Sequence, residues 1–209
     1  MKKPLLIFDF DGVIADSLNL YQQLVYDRLI ALEYNFLQSP EDLQALFETN
    51  VIYGFQKRGV HQHHINEILL ELDKASETNH ISLFEGIPEF FQNIELKTTN
   101  SIVSSNTTLT INRILTSHSL TSHFTDILGG DGATNKVDRI HFLLEKSSLE
   151  KNRTFYIGDT IGDMKEAKLA GITAIGVTWG LHSEQKLRDA RADYILHSPK
   201  HLADFIHTL

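Results

Sequence analysis

The chain has 209 residues, which suits one large domain or a core with a modest insertion. Its net charge of −8 at pH 7 argues against a general nucleic-acid binder, because nucleic-acid backbones attract clustered Lys and Arg, although a local positive pocket can still bind a small anion. The absence of cysteine excludes disulfides, thiolate zinc sites and cysteine nucleophiles, and no apolar run approaches a signal-peptide core or a membrane span. We therefore expect a soluble, cytoplasmic protein.

The first predicted element is a strand over residues 5–8, where a continuous apolar run is typical of a strand buried on both faces. Asp9 and Asp11 follow it, and two positions apart in an extended backbone their side chains point the same way. Carboxylates beside a core are costly unless a cation or another partner stabilises them. Gly12 then permits a sharp turn that exposes backbone N–H groups. This segment suits a phosphate with a metal ion beside it.

Residues 16–80 carry helical patterns and no strand pattern. Apolar residues recur at helical spacing from Leu18 to Leu32, and Ser39 followed by Pro40 is typical of a helix start. Turns are expected near Gly54, Gly59 and Asn79. A helical block therefore follows the first core strand.

The rest of the chain alternates strands with helices. Apolar runs predict strands over residues 101–103, 127–128, 154–157, 173–177 and 194–196. Residues 137–147 and 163–170 show helical patterns, and the second ends at Gly171. This alternation predicts an α/β fold with a doubly wound parallel sheet. We predict a core domain of residues 1–15 and 81–209 and a helical cap of residues 16–80.

A second acidic pair, Asp159 and Asp163, follows the predicted strand 154–157 in a glycine-containing loop. Both acidic pairs and the polar segment 104–106 fall at the carboxyl ends of strands, where open parallel sheets bind ligands. Carboxylate oxygens suit Mg²⁺ rather than zinc. A single Asp after a strand is often only a turn former or a helix cap, but the joint pattern is much harder to explain in that way.

Four motifs occur in order along the chain. They are an apolar strand with Asp-x-Asp-Gly at residues 9–12, a strand ending in Ser104, Lys136, and Gly-Asp-x-x-x-Asp at residues 158–163. With a helical segment between the first two, the sequence closely resembles the haloacid dehalogenase-like (HAD) phosphatase superfamily, in its helical-cap, phosphoglycolate phosphatase-like branch. The resemblance covers nearly the whole chain and implies a Rossmann-like core with an inserted cap.

The resemblance also implies catalytic roles. Asp9 would be the nucleophile and form an aspartyl-phosphate, and Asp11 would protonate the leaving oxygen and then activate water. Ser104 would hydrogen-bond a phosphate oxygen, and Lys136 would neutralise charge on the transferring phosphoryl group. Dehalogenases of the superfamily lack the acid equivalent to Asp11, so its presence favours phosphate chemistry.

Cofactor and phosphate contacts follow from the same resemblance. Mg²⁺ is the expected cofactor, with ligands from Asp9, the backbone carbonyl of Asp11, Asp159 and Asp163. Further phosphate-binding candidates are Gly12, Ser105 and Asn106.

The predicted function is Mg²⁺-dependent hydrolysis of a small phosphomonoester, such as phosphoglycolate or a sugar or nucleotide phosphate. Two alternatives stay open: a phosphotransferase of the β-phosphoglucomutase type, and a non-catalytic member that binds a phosphometabolite. The expected partner is a small phosphorylated metabolite, with no nucleic acid and no membrane.

The cap carries no motif that names the substrate. Lys57 and Arg58 are a basic segment that we hypothesise reaches an anionic substrate. The neighbouring His61, His63 and His64 are interpreted as a solvated loop, because neither a carboxylate partner nor helical His spacing supports a zinc site.

Overall fold

A computed structural model describes residues 2–47, 51–78, 80–94, 97–132 and 134–209 of the chain. The strands of the described residues are β1 (Leu5–Phe8), β2 (Ala15–Asp16), β3 (Ser82–Leu83), β4 (Thr99–Val103), β5 (Asp126–Leu128), β6 (Thr154–Gly158), β7 (Thr173–Val177) and β8 (Tyr194–Leu196). Six of them form one parallel sheet in the order β5-β4-β1-β6-β7-β8. The predicted parallel sheet is confirmed.

Helices cover both faces of this sheet and fill the segment between β2 and β3. They are α1 (Leu18–Ala31), α2 (Pro40–Gln44), α3 (Val51–Lys57), α4 (Gln62–Thr78), α5 (Ile87–Ile94), α6 (Thr108–Ser117), α7 (Lys136–Ser147), α8 (Ile161–Ala170), α9 (Glu184–Asp189) and α10 (Pro199–Ile206). In the described part of the chain, none of them is long and apolar enough to cross a membrane.

Strand β1 shows why the sheet is covered on both sides. Successive side chains of a strand point to opposite faces, and all four residues of β1 are buried. Leu6 and Phe8 pack into one hydrophobic core with residues of α5, α6 and α10. Leu5 and Ile7 pack into a second core with residues of α7, α8 and α9. This arrangement confirms the doubly wound α/β architecture.

Helices α1 to α4 enclose a third hydrophobic core of their own, which includes Val25, Leu29 and Phe55. The chain leaves the sheet domain through β2 and returns through β3, and these two strands pair antiparallel. Asp16 belongs to β2, so a short strand extends one residue into the segment that the sequence indicated to be wholly helical. We refer to α1 to α4 as the cap.

One predicted turn in the cap is wrong. Gly54 lies inside α3, where a Cβ atom would be 2.7 Å from the carbonyl oxygen of Leu46, so glycine there permits α3 to pack closely against the turn at Leu46. Gly59 lies in a turn with a φ of +76°, as predicted. The turn predicted near Asn79 lies outside the described residues.

Candidate active site

The site lies where three neighbouring strands end. Asp9 follows β1, Ser104 follows β4 and Asp159 follows β6, and β1 is paired in parallel with both neighbours. The carboxyl ends of parallel strands meet at one edge of the sheet. The topology therefore brings together residues that are 55 to 150 positions apart along the chain.

Lys136 links the first and last acidic motifs. It is the first residue of α7, whose N-cap Asn135 accepts a hydrogen bond from Asp138 N–H. Its buried Nζ lies 2.8 Å from Asp9 Oδ2 and 2.8 Å from Asp163 Oδ1. These two ion pairs raise the pKa of Lys136 although burial opposes this, so the side chain is a fixed ammonium. A lysine here compensates part of the negative charge of the site.

Asp163 has two functions in the geometry. As the third residue of α8 it forms a capping box with Thr160, whose N–H and Oγ donate to Asp163 Oδ2 at 3.0 and 2.6 Å. Its other oxygen, Oδ1, accepts from Lys136. Burial opposes ionisation, but the lysine and the Thr160 hydrogen bonds outweigh it and keep the pKa of Asp163 below its usual value. The helix cap and the site share one carboxylate.

Asp159 is wholly buried and incompletely satisfied. Its Oδ2 accepts from Leu181 N–H at 2.7 Å, whereas its Oδ1 has no hydrogen-bond partner among the described residues. Burial, reinforced by the charges of Asp163 and Asp9, raises its pKa well above the usual range. A buried carboxylate oxygen without a partner is costly, and a cation is the partner that would satisfy it.

The residues fit a divalent metal ion. Oxygens of Asp9, Asp159 and Asp163 lie within 4.8 Å of one another. When all three carboxylates are ionised, they leave a net charge of −2 beside the Lys136 ammonium, and an all-oxygen donor set suits a hard cation such as Mg²⁺. The carboxylate of Asp11 is not part of this cluster, which is compatible with a role for its backbone carbonyl instead.

Asp9 lies between the metal cluster and the lysine. Its Oδ1 accepts from Phe10 N–H at 2.7 Å and its Oδ2 from Lys136. Burial raises the pKa of Asp9 to about 7, and Asp163 adds to this, whereas Lys136 opposes it. A bound cation would favour the ionised form, which is the nucleophilic one.

Asp11 has a separate set of partners. The Ser17 hydroxyl donates to its Oδ1 at 2.5 Å, and Asn106 Nδ2 donates to its Oδ2 at 2.9 Å. Asn106 Nδ2 also lies 3.4 Å from the Tyr21 hydroxyl oxygen in α1. Burial raises the pKa of Asp11, with both hydrogen bonds opposing. A raised pKa suits a carboxyl group that gives up and takes back a proton.

Of the predicted phosphate-binding residues, the two serines line the cavity and Gly12 does not. Ser104 and Ser105 line the cavity described below, and the buried Ser104 accepts from Asn106 N–H at 3.2 Å. Gly12 N–H instead donates to Ala15 O at 3.0 Å inside its own turn, so the structure does not direct it at a phosphate. Gly12 contributes space, because a Cβ atom there would lie 2.1 Å from Asp159 Oδ2.

The side chain of Asn106 lines the cavity, but it is engaged with Asp11. Its Oδ1 also accepts from Thr107 N–H at 2.8 Å. These bonds make Asn106 an orienting partner of Asp11 in this geometry.

A cavity of about 380 Å³ lies between the sheet edge and the cap. Asp9, Asp11, Ser104, Ser105, Asn106, Lys136, Asp159 and Asp163 all line it. Its cap side is formed by Leu18, Tyr21, Phe47, Val51, Ile52, Leu69, Leu72 and Asp73. The predicted site residues other than Gly12 therefore share one cavity.

The cap residues that the sequence singled out lie elsewhere. Lys57 and Arg58 do not line the cavity, which removes the basis for their contacting an anionic substrate. His63 and His64 lie in the first turn of α4 rather than in a loop, and the Tyr34 hydroxyl and His64 Nδ1 are 2.8 Å apart. The three histidines cluster away from the cavity.

Several site residues escaped the sequence analysis. Ser17 and Tyr21 lie in or beside α1 and reach Asp11 or its partner, and Glu166 lines the cavity with Oε2 at 3.8 Å from Lys136 Nζ. Arg139, one turn after Lys136, donates from Nη1 to the carbonyl oxygens of Ser104 and Leu128 at 2.7 and 2.9 Å. Of these residues, Ser17 directly precedes α1, but its side chain makes no capping hydrogen bond to that helix.

The haloacid dehalogenase-like hydrolase family model matches residues 6–177 of this sequence. The chain belongs to this family. The match spans all four motifs and the cap between the first two. The family, its helical-cap architecture and the HAD-like fold predicted from the motifs are confirmed.

Relatives of this HAD hydrolase are phosphatases by name. It is 24% identical over 208 residues to a phosphoglycolate phosphatase of Synechococcus elongatus, covering 94% of each chain. It is 26% identical over 216 residues to a 5′-nucleotidase of Pseudomonas aeruginosa, covering 96% of this chain and 91% of the relative. A solved haloacid dehalogenase-like hydrolase from Streptococcus pneumoniae superposes with a TM-score of 0.82 at 21% identity, over 97% of this chain and 98% of that one. The hydrolase is thus a phosphatase of the phosphoglycolate phosphatase-like type.

Proposed function

We propose that this HAD phosphatase is Mg²⁺-dependent and hydrolyses a small phosphomonoester through an aspartyl-phosphate on Asp9. The observation that carries the proposal is the single cavity that joins Asp9, Asp11, Ser104, Lys136 and the Asp159/Asp163 pair. Outside this arrangement, no motif of another hydrolase class occurs in the sequence.

Asp9 attacks phosphorus, and the bond from phosphorus to the leaving oxygen breaks. Asp9 is suited to this because its Oδ1 and Oδ2 are held by Phe10 N–H and Lys136, which fix its direction. When bound, Mg²⁺ supplies positive charge that stabilises the phosphoryl oxygens. Ser104 donates a hydrogen bond to one of those oxygens, and the Lys136 ammonium compensates their developing charge.

Asp11 handles the protons of both steps. In its neutral form it protonates the leaving alcohol, and the resulting carboxylate then takes a proton from the water that cleaves the aspartyl-phosphate. Ser17 and Asn106 hold its two oxygens, which orients the group without engaging Lys136. The products are the free alcohol, inorganic phosphate and regenerated Asp9.

A phosphate-release screen tests the proposal. Purified protein is incubated with a panel of phosphomonoesters with and without Mg²⁺, and Asp9→Asn serves as the control, which we expect to lose at least about a thousandfold in kcat. Sugar-phosphate isomerisation without phosphate release would instead favour the mutase alternative. No activity on any ester, together with no trapping by beryllofluoride, would favour the non-catalytic alternative.

The remaining expectations belong to the same proposal. We expect a small phosphorylated metabolite as the partner, with neither nucleic acid nor membrane, and a cytoplasmic location. Intact protein that binds anionic vesicles or nucleic acid in physiological salt would contradict the partner prediction.

A further inference from the structure

The cavity is chemically divided. At the sheet edge it is lined by the catalytic carboxylates and Lys136, whereas the cap supplies mostly hydrocarbon and aromatic surface. The aliphatic and aromatic cap residues are Leu18, Tyr21, Phe47, Val51, Ile52, Leu69 and Leu72. With the phosphoryl group at Asp9, the leaving alcohol would extend toward this wall, and its burial there would favour an apolar body.

The charges along the cavity disfavour a second anion. Among the lining residues that the structure describes, Lys136 is the only Lys or Arg, and it is already paired with Asp9 and Asp163. Asp73 on the cap wall and Asp131 at the exposed rim add carboxylates outside the metal cluster. Hydrogen bonds from Thr108 keep the pKa of Asp131 below its usual value, so it is charged at neutral pH.

A cation on α6 does not change this balance. Arg113, the nearby cation on α6, is occupied by Glu77 at 2.7 Å and is not a lining residue. A carboxylate on the leaving alcohol would therefore be buried without a cationic partner among the described residues of the cap wall, which is costly.

Asp73 places a carboxylate on the cap wall. It is half-buried in α4, and the Thr110 hydroxyl donates to its Oδ1 at 2.5 Å. This contact from the core fixes the carboxylate at the cap–core boundary. Asp73 can accept a hydrogen bond from a hydroxyl or amino group of a substrate, and it repels an anion.

We infer that the enzyme prefers phosphate monoesters of uncharged alcohols with an apolar or aromatic body, and that Asp73 helps to reject alcohols with a second anionic group. This inference rests on the proposed function. It predicts that phosphoglycolate, the substrate in the name of its phosphoglycolate phosphatase relatives, is a poor substrate of this chain. The reason is that glycolate would place a carboxylate against the cap wall.

Matched substrate pairs test the inference. The first pair is 2-phosphoglycolate and its amide isostere carbamoylmethyl phosphate, and the second is 4-carboxyphenyl phosphate and phenyl phosphate. We expect kcat/KM to be at least about tenfold higher for the uncharged member of each pair. Equal or faster hydrolysis of the anionic members, with Asp9→Asn inactive, would overturn the inference and leave the proposed function intact. Hydrolysis of none of the four esters would instead count against the proposed function.

Two variants test the part played by charge at the cap wall. Asp73→Asn retains an oxygen acceptor for Thr110 but removes the charge. We expect it to lower the ratio of kcat/KM for the uncharged ester to kcat/KM for the anionic ester in each pair. Leu69→Lys, which adds a cation to the same wall, should narrow the ratio as well. Glu71→Gln is the matched control, because Glu71 lies on α4 beside Arg28 and does not line the cavity. If this kcat/KM ratio were unchanged in both Asp73→Asn and Leu69→Lys, the inference that charge at the cap wall disfavours anionic alcohols would be overturned.

Discussion

At the scale of single residues, the site depends on how closely carboxylates and glycines approach. Gly12 has a φ of +81°, and a Cβ atom there would fall on Asp159 Oδ2. The glycine therefore allows the first acidic turn to lie against the carboxylate that follows β6. Gly180 has a related role, since its Cβ would lie 2.4 Å from the same oxygen.

We predict that Gly12→Ala displaces Asp159 and weakens metal binding. Half-maximal activation should need at least about tenfold more Mg²⁺, because the metal ligands lose their geometry. Gly59→Ala is a matched control: its φ is +76°, but no atom lies within 4 Å of the added Cβ. Both variants carry the strain of a left-handed residue, about 1 kcal/mol. A Mg²⁺ titration of activity compares them, and equal effects would contradict the prediction.

The residues that sequence could predict are those adjacent to strand ends. Asp9 and Asp159 follow buried apolar runs, so their position at one sheet edge follows from local patterns. Tyr21 and Glu166 carry no comparable signal, because their relation to the site depends on how the cap and α8 pack. Gly12 was assigned to phosphate binding since a glycine turn exposes N–H groups, but the turn itself consumes that N–H.

At the scale of elements, helix starts position the chemistry. Lys136 begins α7 directly after the capping residue Asn135, and Asp163 lies in the capping box of α8. The ordinary devices that end a loop and begin a helix therefore also direct an ammonium and a carboxylate into one cavity. Arg139, also on α7, donates hydrogen bonds to the carbonyl oxygens at the ends of β4 and β5 and so ties the start of this helix to the sheet edge.

We predict that removing the α7 cap affects catalysis and that removing a comparable cap elsewhere does not. Asn135→Ala should cost about 1 kcal/mol of unfolding free energy and lower kcat, because Lys136 is the next residue. Ser198→Ala removes the cap of α10, where Ser198 accepts from His201 N–H, at a similar cost in stability. Chemical denaturation and steady-state kinetics measure both effects. The prediction fails when the two variants have the same kcat.

Cap packing is the element-scale feature that sequence could not supply. The helical pattern of residues 16–80 indicated helices, and the structure has them. The sequence pattern gave no information on which helix faces line the cavity, because several apolar residues that line it also pack against the cap's own core. Gly54 is an example, since its role becomes visible only when α3 packs against Leu46.

At the scale of the whole molecule, the buried charges couple the site to stability. Without metal, the pKa of Asp9 is about 7 and that of Asp159 is well above the usual range. The unfolded chain releases these protons near pH 3.8, so the folded state binds more protons between that pH and neutrality. The free energy of unfolding therefore falls as pH rises through this window. The pKa of Asp163 is lowered, so this residue titrates below that pH window.

We predict that the chelator-treated protein loses at least about 1 kcal/mol of unfolding free energy between pH 5 and pH 8. Asp159→Asn should show a smaller loss, because an amide does not titrate. Addition of Mg²⁺ at pH 8 should stabilise the wild type and have less effect on the variant. Urea denaturation at each pH provides the measurement. If the unfolding free energies of the wild type and of Asp159→Asn had parallel pH profiles, titration of Asp159 would not be the origin of the loss.

Capture of the phosphoryl group on Asp9 tests the central claim most directly. Asp11→Asn removes the base that activates water, whereas p-nitrophenyl phosphate has a leaving group that departs without an acid, so the aspartyl-phosphate should accumulate. The variant is mixed with this ester and Mg²⁺, quenched in acid and digested for mass spectrometry. We predict one phosphoryl group on the peptide that contains Asp9, and none when Asp9→Asn is added. Phosphate release with no label on that peptide, and with activity retained in Asp9→Asn, would contradict the mechanism.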